Sequence, residues 1–293
     1  MKGAKLMKIG FIGTGVMGTG IVSNLLKHHE EVTVFNRTKA HAQRLLDQGA
    51  QWADSPAQLA QNNDVIMTMV GFPDDVKEVY YGSEGIFQTA HSGQYLIDMT
   101  TSSPALDQKI TKIADKIGAH ALDTPVSGGD IGAQNGQLTV MVGGQKADLG
   151  ALKPLFAEFS KAIHYFGPAG AGQNAKMANQ IMIAGTMTGM TEALVYAKAA
   201  GLDLQQVIET LQGGAAENFS MGSYGPRILK GDYTPGFFAK HFLKDLRIAL
   251  NTADELQLNL PATQKARELY ETLVNQKGLC DEGTQALIKL WWK

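Results

Sequence analysis

Lys176 is the residue of this chain best suited to move a proton. It heads the run Gly170 to Gly201, and no other charge occurs between it and Glu192. Asn179 and Gln180 follow three and four residues on, so on a helix all three share a face. Lysine can hold and return a proton, and both burial and the positive end of a helix disfavour its charged form. Two environments fit it. Lysines are rarely fully buried, so it could sit in the first turn and reach solvent; or it could face a cleft between two domains. The seven histidines are scattered and offer no rival: His28-His29 end a helix, His91 lies in a loop and His241 in a helix. No Ser/His/Asp arrangement, paired carboxylates or metal-ligand cluster stands out, so no metal site is expected. The single cysteine, Cys280, excludes an internal disulfide framework and suits a reducing compartment.

A second constellation is G-T-G-V-M-G, from Gly13 to Gly18. Gly13 allows a tight turn, Gly15 lets backbone approach a pyrophosphate, and Gly18 permits close helix–strand packing; Thr14, Val16 and Met17 complete the loop. The helix that follows offers N–H groups and a favourable dipole to phosphates. The motif follows an apolar run at 6–12, precedes a helical pattern through Leu25 and Leu26, and is succeeded by a strand at Val32 to Phe35. That βαβ context turns a weak pattern into a dinucleotide site. The second strand ends in Asn36, Arg37 and Thr38, where an NAD site usually has an acidic residue. A guanidinium with a neutral neighbour suits a 2′-phosphate, which predicts NADP. The other reading is a solvated Arg37 beside Thr38 as the N-cap of the next helix.

These residues need a frame. Further strands are expected at 64–70, 94–98, 119–123 and 137–142, with helices near 38–48, 74–80, 103–117 and 146–159. This is an α/β, doubly wound, Rossmann-type pattern, with ligands at the carboxyl ends of its strands. Those ends carry Val70, Thr101 and Ser127-Gly128-Gly129. Thr101 is placed for the nicotinamide side. The Ser127 loop offers a hydroxyl and free N–H groups to a substrate carboxylate, or is an ordinary Gly-rich connection.

After Gly172 strand signals fade. The run from Gly170 reads as a long helix, apolar or small nearly all round and therefore buried. Asp203 caps a helix to Gln212, the Gly213–Gly225 region reads as irregular, and Phe238–Leu256 reads as a helix with Phe242, Leu246, Ala249, Leu250 and Ala253 on one face. Further helices open at Pro261 and near Asp281. Lys244-Asp245 presents either a second cation to the site or a helix-surface charge pair. The expected domains are 1–167 for the dinucleotide and 168–293, all-helical, for substrate and oligomerisation, joined by the long helix. Gly185 and Gly189 would let another helix approach closely, and so apolar a helix in a small domain predicts a homodimer or homotetramer. A net charge of −2 gives no argument for nucleic acid or membrane partners. The apolar part of the long helix is too short and too polar to span a bilayer. No segment looks like a targeting signal, so a cytoplasmic location is expected.

Five blocks, F-I-G-T-G-V-M-G, D-M-T-T-S-S-P, D-T-P-V-S-G-G-D-I-G-A-Q-N-G-Q-L, G-A-G-Q-N-A-K-M-A-N-Q and F-L-K-D-L, run in order from Phe11 to Leu246. Together they resemble the β-hydroxyacid dehydrogenase family, the group of 3-hydroxyisobutyrate dehydrogenases, tartronate semialdehyde reductases and glyoxylate/succinic semialdehyde reductases. The resemblance implies a Rossmann domain joined by a long helix to an all-helical domain. It implies Lys176 as catalytic acid/base, Ser127, Gly128, Gly129 and Asn179 on a small β-hydroxy acid or aldehyde acid, and cofactor contacts from the glycine loop, Val70, Thr101 and Lys244. Asn36-Arg37-Thr38 is similar to the NADP-using members. Phe219 to Tyr224 and Tyr233 to Phe238 match no subfamily, which leaves the substrate open. Three alternatives remain. Imine reductases share the fold, but this lysine is commonly replaced in them. A 6-phosphogluconate dehydrogenase would need a longer helical half. A cofactor-binding sensor without turnover is at odds with an intact lysine and serine-glycine loop.

Overall fold

The structure is a computed structural model that describes residues 7–28 and 31–292; Leu6, at the head of the expected first strand, and His29 lie outside the described residues. The chain divides into two compact units, Met1–Lys176 and Met177–Lys293. The first runs β1 (Ile9–Ile12), α1 (Val16–Lys27), β2 (Val32–Phe35), α2 (Gln43–Leu46), β3 (Gln51–Trp52), α3 (Pro56–Asn62), β4 (Val65–Thr68), α4 (Pro73–Tyr81), β5 (Tyr95–Asp98), α5 (Pro104–Ile117), β6 (His120–Asp123), β7 (Val126–Ser127), α6 (Gly129–Gln134), β8 (Leu138–Gly144), α7 (Lys146–Ala157) and β9 (Ser160–Gly167). Then comes α8 (Ala171–Ala199), whose first turns belong to the first unit and whose remainder belongs to the second. The second unit continues with α9 (Leu204–Gln212), α10 (Phe219–Leu229), α11 (Ala239–Glu255) and α12 (Pro261–Glu271). The protein is thus a Rossmann-type doubly wound sheet followed by an all-helical region.

Strands β3, β2, β1, β4, β5 and β6 lie side by side and parallel. Parallel strands are covered on both faces and must be apolar throughout. Ile9, Phe11, Val65, Met67 and Ile97 accordingly pack with Ile21 and Leu25 of α1, while Ile12, Ile66 and Leu96 pack with Leu59, Val76 and Ile110 of α3, α4 and α5. The chain order reverses between β1 and β4, so the loops after these two strands flank the switch point where such sheets bind ligands. Antiparallel β7 and β8 and the parallel pair β8–β9 extend the sheet beyond β6. Side chains of Ser55, Ser103, Asp203 and Asn218 cap α3, α5, α9 and α10.

Several elements differ from the sequence reading. The helix expected over 38–48 is a 3₁₀ turn, Lys39–Ala42, followed by the single turn α2. Strand β9 has no counterpart among the expected strands: four of its eight residues are exposed and only Ser160 is buried, so its apolar signal is diluted. The stretch read as irregular, Gly213–Gly225, overlaps the first part of α10, which is capped by Asn218 and runs to Leu229 despite Gly222, Gly225 and Pro226 within it. The element near Asp281 is a 3₁₀ helix, Thr284–Leu290. In the second unit Phe242, Leu246, Ala249, Leu250 and Ala253 are all buried. Helix α8 is not buried all round. Met187, Met190 and Leu194 enter the core, but Ala178, Met182, Gly185, Gly189, Glu192 and Tyr196 form an exposed stripe. No helix among the described residues is long and apolar enough to cross a membrane.

Candidate active site

The glycine loop is held by the sheet. Gly13 N donates to the Phe35 carbonyl at 2.9 Å and Thr14 N to Asn36 Oδ1 at 3.2 Å. A Cβ on Gly13 would collide with the Met69 carbonyl, and one on Gly18 with the carbonyl of Gly13, so both are fixed by packing. Gly15 is different: a Cβ there would meet nothing within 4 Å. The space above it is open, and a side chain would fill it. Gly15 stands at the N-cap of α1, which has no side-chain cap and no acid in its first turn. Its N–H groups are therefore left for an anion. The buried Thr14 hydroxyl also lacks a hydrogen-bond partner. These features fit a dinucleotide pyrophosphate. Val16 is exposed at the helix start, whereas Met17 packs against the core, so only its backbone faces the loop. A groove of about 810 Å³ opens beside the loop, lined by Thr14, Gly15 and Val16 and by Lys27, His41 and Arg44.

At the end of β2 the three residues play separate parts. Asn36 braces the loop through Thr14 and donates to the Thr38 carbonyl at 3.0 Å. Thr38 occupies an N-cap position, but its side chain makes no capping bond. Arg37 is 83% exposed and its guanidinium pairs with Asp75 at 3.0 Å. Asp75 also accepts from Phe72 N at the start of α4. Nothing in the local sequence pattern marks Asp75 as the partner of Arg37.

The remaining first-unit candidates lie at strand ends. Val70 N donates to Thr100 Oγ1 at 3.0 Å, and Thr101 is half-buried. Gly128 and Gly129 have φ of 134° and 64°, values that favour glycine, and both are exposed. Lys176 is buried and does not extend into solvent. Its side chain is 8% exposed and its ammonium donates to the Val126 carbonyl at 2.9 Å. Val126 directly precedes Ser127, so lysine and serine-glycine loop are brought together. Asn179 and Lys244 belong to the second unit. There Asn179 donates to Gln180, Gln180 donates to Asp245 at 2.6 Å, and Asp245 pairs with Lys244 at 3.0 Å. Lys244 is thus a largely buried partner in an ordered polar chain, with little of the character of a surface charge.

Beneath the strand ends lies a group of buried acids that no local motif announces. Asp98 accepts from Thr68 Oγ1 and Thr100 N, both at 2.9 Å, yet its Oδ2 has no partner, and neither does Oδ2 of Asp107. Burial pushes the Asp98 carboxyl up to about 6; burial and then the charge of Asp98 hold Asp107 well above the usual carboxylate range. One proton shared by the two carboxyls would supply what both lack. Both shifts favour the protonated pair in the folded state, so its contribution to stability is present in acid and lost as pH rises through about 6. Asp107→Asn, which mimics the protonated acid, is expected to change the melting temperature little below pH 3.8, where the carboxyls are protonated folded or unfolded, and to raise it at pH 8 by several degrees, at roughly 2–4 °C per kcal/mol. An equal change at both pH values would contradict the shared proton.

Residues 8–167 match the profile of the NAD binding domain of 6-phosphogluconate dehydrogenase, and residues 170–291 match that of the NAD-binding of NADP-dependent 3-hydroxyisobutyrate dehydrogenase. The chain belongs to the β-hydroxyacid dehydrogenase family. Within this family it is 48% identical over 285 residues to the uncharacterized oxidoreductase YkwC of Bacillus subtilis (strain 168), covering 97% of this chain and 99% of the relative. It is 46% identical over 282 residues to the probable 3-hydroxyisobutyrate dehydrogenase-like 1, mitochondrial, of Arabidopsis thaliana, covering 96% and 84%. The solved structure of Mycobacterium tuberculosis 3-hydroxyisobutyrate dehydrogenase with L-serine superposes with a TM-score of 0.89 at 26% identity, covering 98% of this chain and 100% of that one. The family membership makes this chain an NAD(P)-binding oxidoreductase of the hydroxyacid dehydrogenase type.

Proposed function

We propose that the chain interconverts a small β-hydroxy acid and its semialdehyde or oxo acid with NADP, using Lys176 as acid/base. The observation that carries this reading is the buried Lys176 ammonium, anchored on the Val126 carbonyl beside Ser127-Gly128-Gly129. When bound, the nicotinamide supplies or accepts the hydride. Gly13 to Gly18 and the head of α1 hold the pyrophosphate, Arg37 with Asn36 and Thr38 takes the 2′-phosphate, and Val70, Thr101 and Lys244 complete the cofactor contacts. The hydroxyl and N–H groups of Ser127-Gly128-Gly129 receive the substrate carboxylate, and Asn179 orients the hydroxyl or carbonyl. An ammonium carries three donors, enough to serve Val126 and a substrate oxygen together. In reduction Lys176 gives that oxygen a proton as the carbonyl carbon gains its hydride; in oxidation it takes the proton back. L-Serine, seen with the mycobacterial relative, is itself a β-hydroxy acid, which supports the substrate class.

The test is the decay of NADPH absorbance with a panel of small aldehyde acids, repeated with NADH. Turnover of at least one acid, faster with NADPH, is the expected result. Tight NADPH binding without turnover of any would favour an imine reductase-like enzyme or a non-catalytic binding module.

We also infer a homodimer or homotetramer built on the exposed stripe of α8. Its members, Ala178, Met182, Gly185, Gly189, Glu192 and Tyr196, alternate in steps of four and three, the spacing of a coiled-coil seam. Met182 is 68% and Tyr196 74% exposed, and beside them lies a groove of about 580 Å³. A Cβ on Gly185 or Gly189 would meet nothing within 4 Å, so a second helix could come close. Met182→Asp is expected to shift the sedimenting species toward a single chain; an unchanged mass would exclude this face.

A further inference from the structure

We propose that Asp123 is a positioning residue for Lys176: its carboxylate pins the start of α8 to the carboxyl end of β6 and so fixes where the ammonium stands. The proposal rests on the acid/base reading of Lys176.

A helix leaves its first N–H groups without intrahelical acceptors, and an N-cap side chain usually serves one of them. At α8 the residue before the helix is Gly170, which has no side chain to offer. The acceptor comes from another element. Asp123, 1% exposed at the end of β6, takes Gly170 N on Oδ1 at 2.7 Å and Gln173 N on Oδ2 at 2.8 Å. An acidic group at this end also meets the positive pole of the helix. Because the cap is carried by the sheet, it locates the helix as well as stabilising it. Burial pushes the Asp123 carboxyl up from its ordinary value, and the backbone N–H groups of Gly170 and Gln173 pull it back.

Two further contacts make this start rigid. Gly172 lies directly on the strand backbone: a Cβ there would stand 2.5 Å from the Met141 carbonyl oxygen and 2.6 Å from that of Asp123. Gln173 is fully buried; it donates to the Thr100 carbonyl at 2.7 Å and accepts from Ser102 N at 3.0 Å, tying the same turn to the loop after β5. Lys176 stands three residues beyond Gln173, on the same helix face. Its Nζ returns to Val126, three residues beyond Asp123. One short stretch, Asp123 to Val126, therefore holds both the root of the lysine's helix and the tip of its side chain.

The proposal demands a carboxylate. Asparagine has one acceptor oxygen, and its amide would present donors to a backbone N–H. Asp123→Asn should therefore free the first turn of α8 and let the ammonium drift. Misplacement of a catalytic group by an ångström costs up to about 100-fold.

The experiment compares the parent with Asp123→Asn, Lys176→Ala and the double variant. It measures kcat, KM and Kd for NADPH, melting temperature, and amide exchange of Gly170 and Gln173. Asp123→Asn is expected to lose roughly 10–100-fold in kcat with the Kd for NADPH unchanged, and to exchange these amides faster. In the Lys176→Ala background the same change should cost nothing more, since its effect passes through the lysine. Full kcat in folded Asp123→Asn, or the same loss with and without Lys176, would overturn the proposal. Parent-like turnover of Lys176→Ala would instead overturn the acid/base reading, whatever Asp123→Asn does. Should Asp123→Asn not fold, Asp123→Ser, which keeps one acceptor without an amide donor, is read in the same way. Loss of folding in both means that Asp123 is a scaffold residue and the proposal is wrong.

Discussion

Lys176→Ala is expected to lose roughly 10²–10⁴-fold in kcat, the range for removing a positioned general acid or base. Binding of NADPH should hardly change, because the glycine loop and the end of β2 are independent of the lysine. The loss should fall on kcat more than on KM, as it does when an interaction made in the transition state is removed. Lys176→Arg separates charge from proton transfer. It keeps the cation but cannot give up a proton at neutral pH. Arginine should therefore restore some substrate binding and little turnover. If the Lys176→Arg enzyme worked as well as the parent, the residue would be acting only as a fixed charge. The structural basis is plain: a lysine is almost never this deeply buried without a function or a partner, and here it is held by a backbone carbonyl, an acceptor that takes no proton from it.

Asn36→Asp combined with Arg37→Ala is expected to lower the preference for NADPH over NADH, as a ratio of kcat/KM, by roughly 10²–10³. A hydrogen bond to a charged group is worth about 1.5–3 kcal/mol, so losing Arg37 alone accounts for about tenfold or more. A carboxylate at position 36 adds repulsion of the 2′-phosphate and an acceptor for a ribose hydroxyl. Arg37 is available for this role. Its guanidinium is 83% exposed and so is held by about 1 kcal/mol, while Asp75, 19% exposed, keeps the hydrogen bond from Phe72 N when the guanidinium leaves for a phosphate. A ratio that does not move, or a parent enzyme that prefers NADH, would remove NADP from the account.

Much of this architecture is legible in the chain because its signals are local. The glycine loop, the neutral-cationic end of β2, the apolar strands and the lone lysine are each read within a dozen residues. What escapes is held across long separations. Asp123 meets Gly170 and Gln173 about fifty residues away, and Gln173 meets Thr100 across seventy-three. No periodicity marks an aspartate that will cap a distant helix, or the burial that raises the carboxyls of Asp98 and Asp107. Strand β9 escapes because half its side chains face solvent. Helix α10 escapes because glycine and proline usually argue against helix, and only the Asn218 cap argues for it. The exposed stripe of α8 escapes for another reason. An apolar helix reads the same whether its covering comes from its own chain or from a second copy.

The central claim is that the Lys176 ammonium meets the oxygen that gains or loses the proton. It is tested most directly by a structure with NADPH and an unreactive β-hydroxy acid analogue. Lys176 Nζ is expected within about 3.2 Å of the analogue's hydroxyl oxygen, with the carboxylate on Ser127-Gly128-Gly129. An analogue bound beside the nicotinamide with Nζ still out of hydrogen-bond reach of that oxygen would contradict the account.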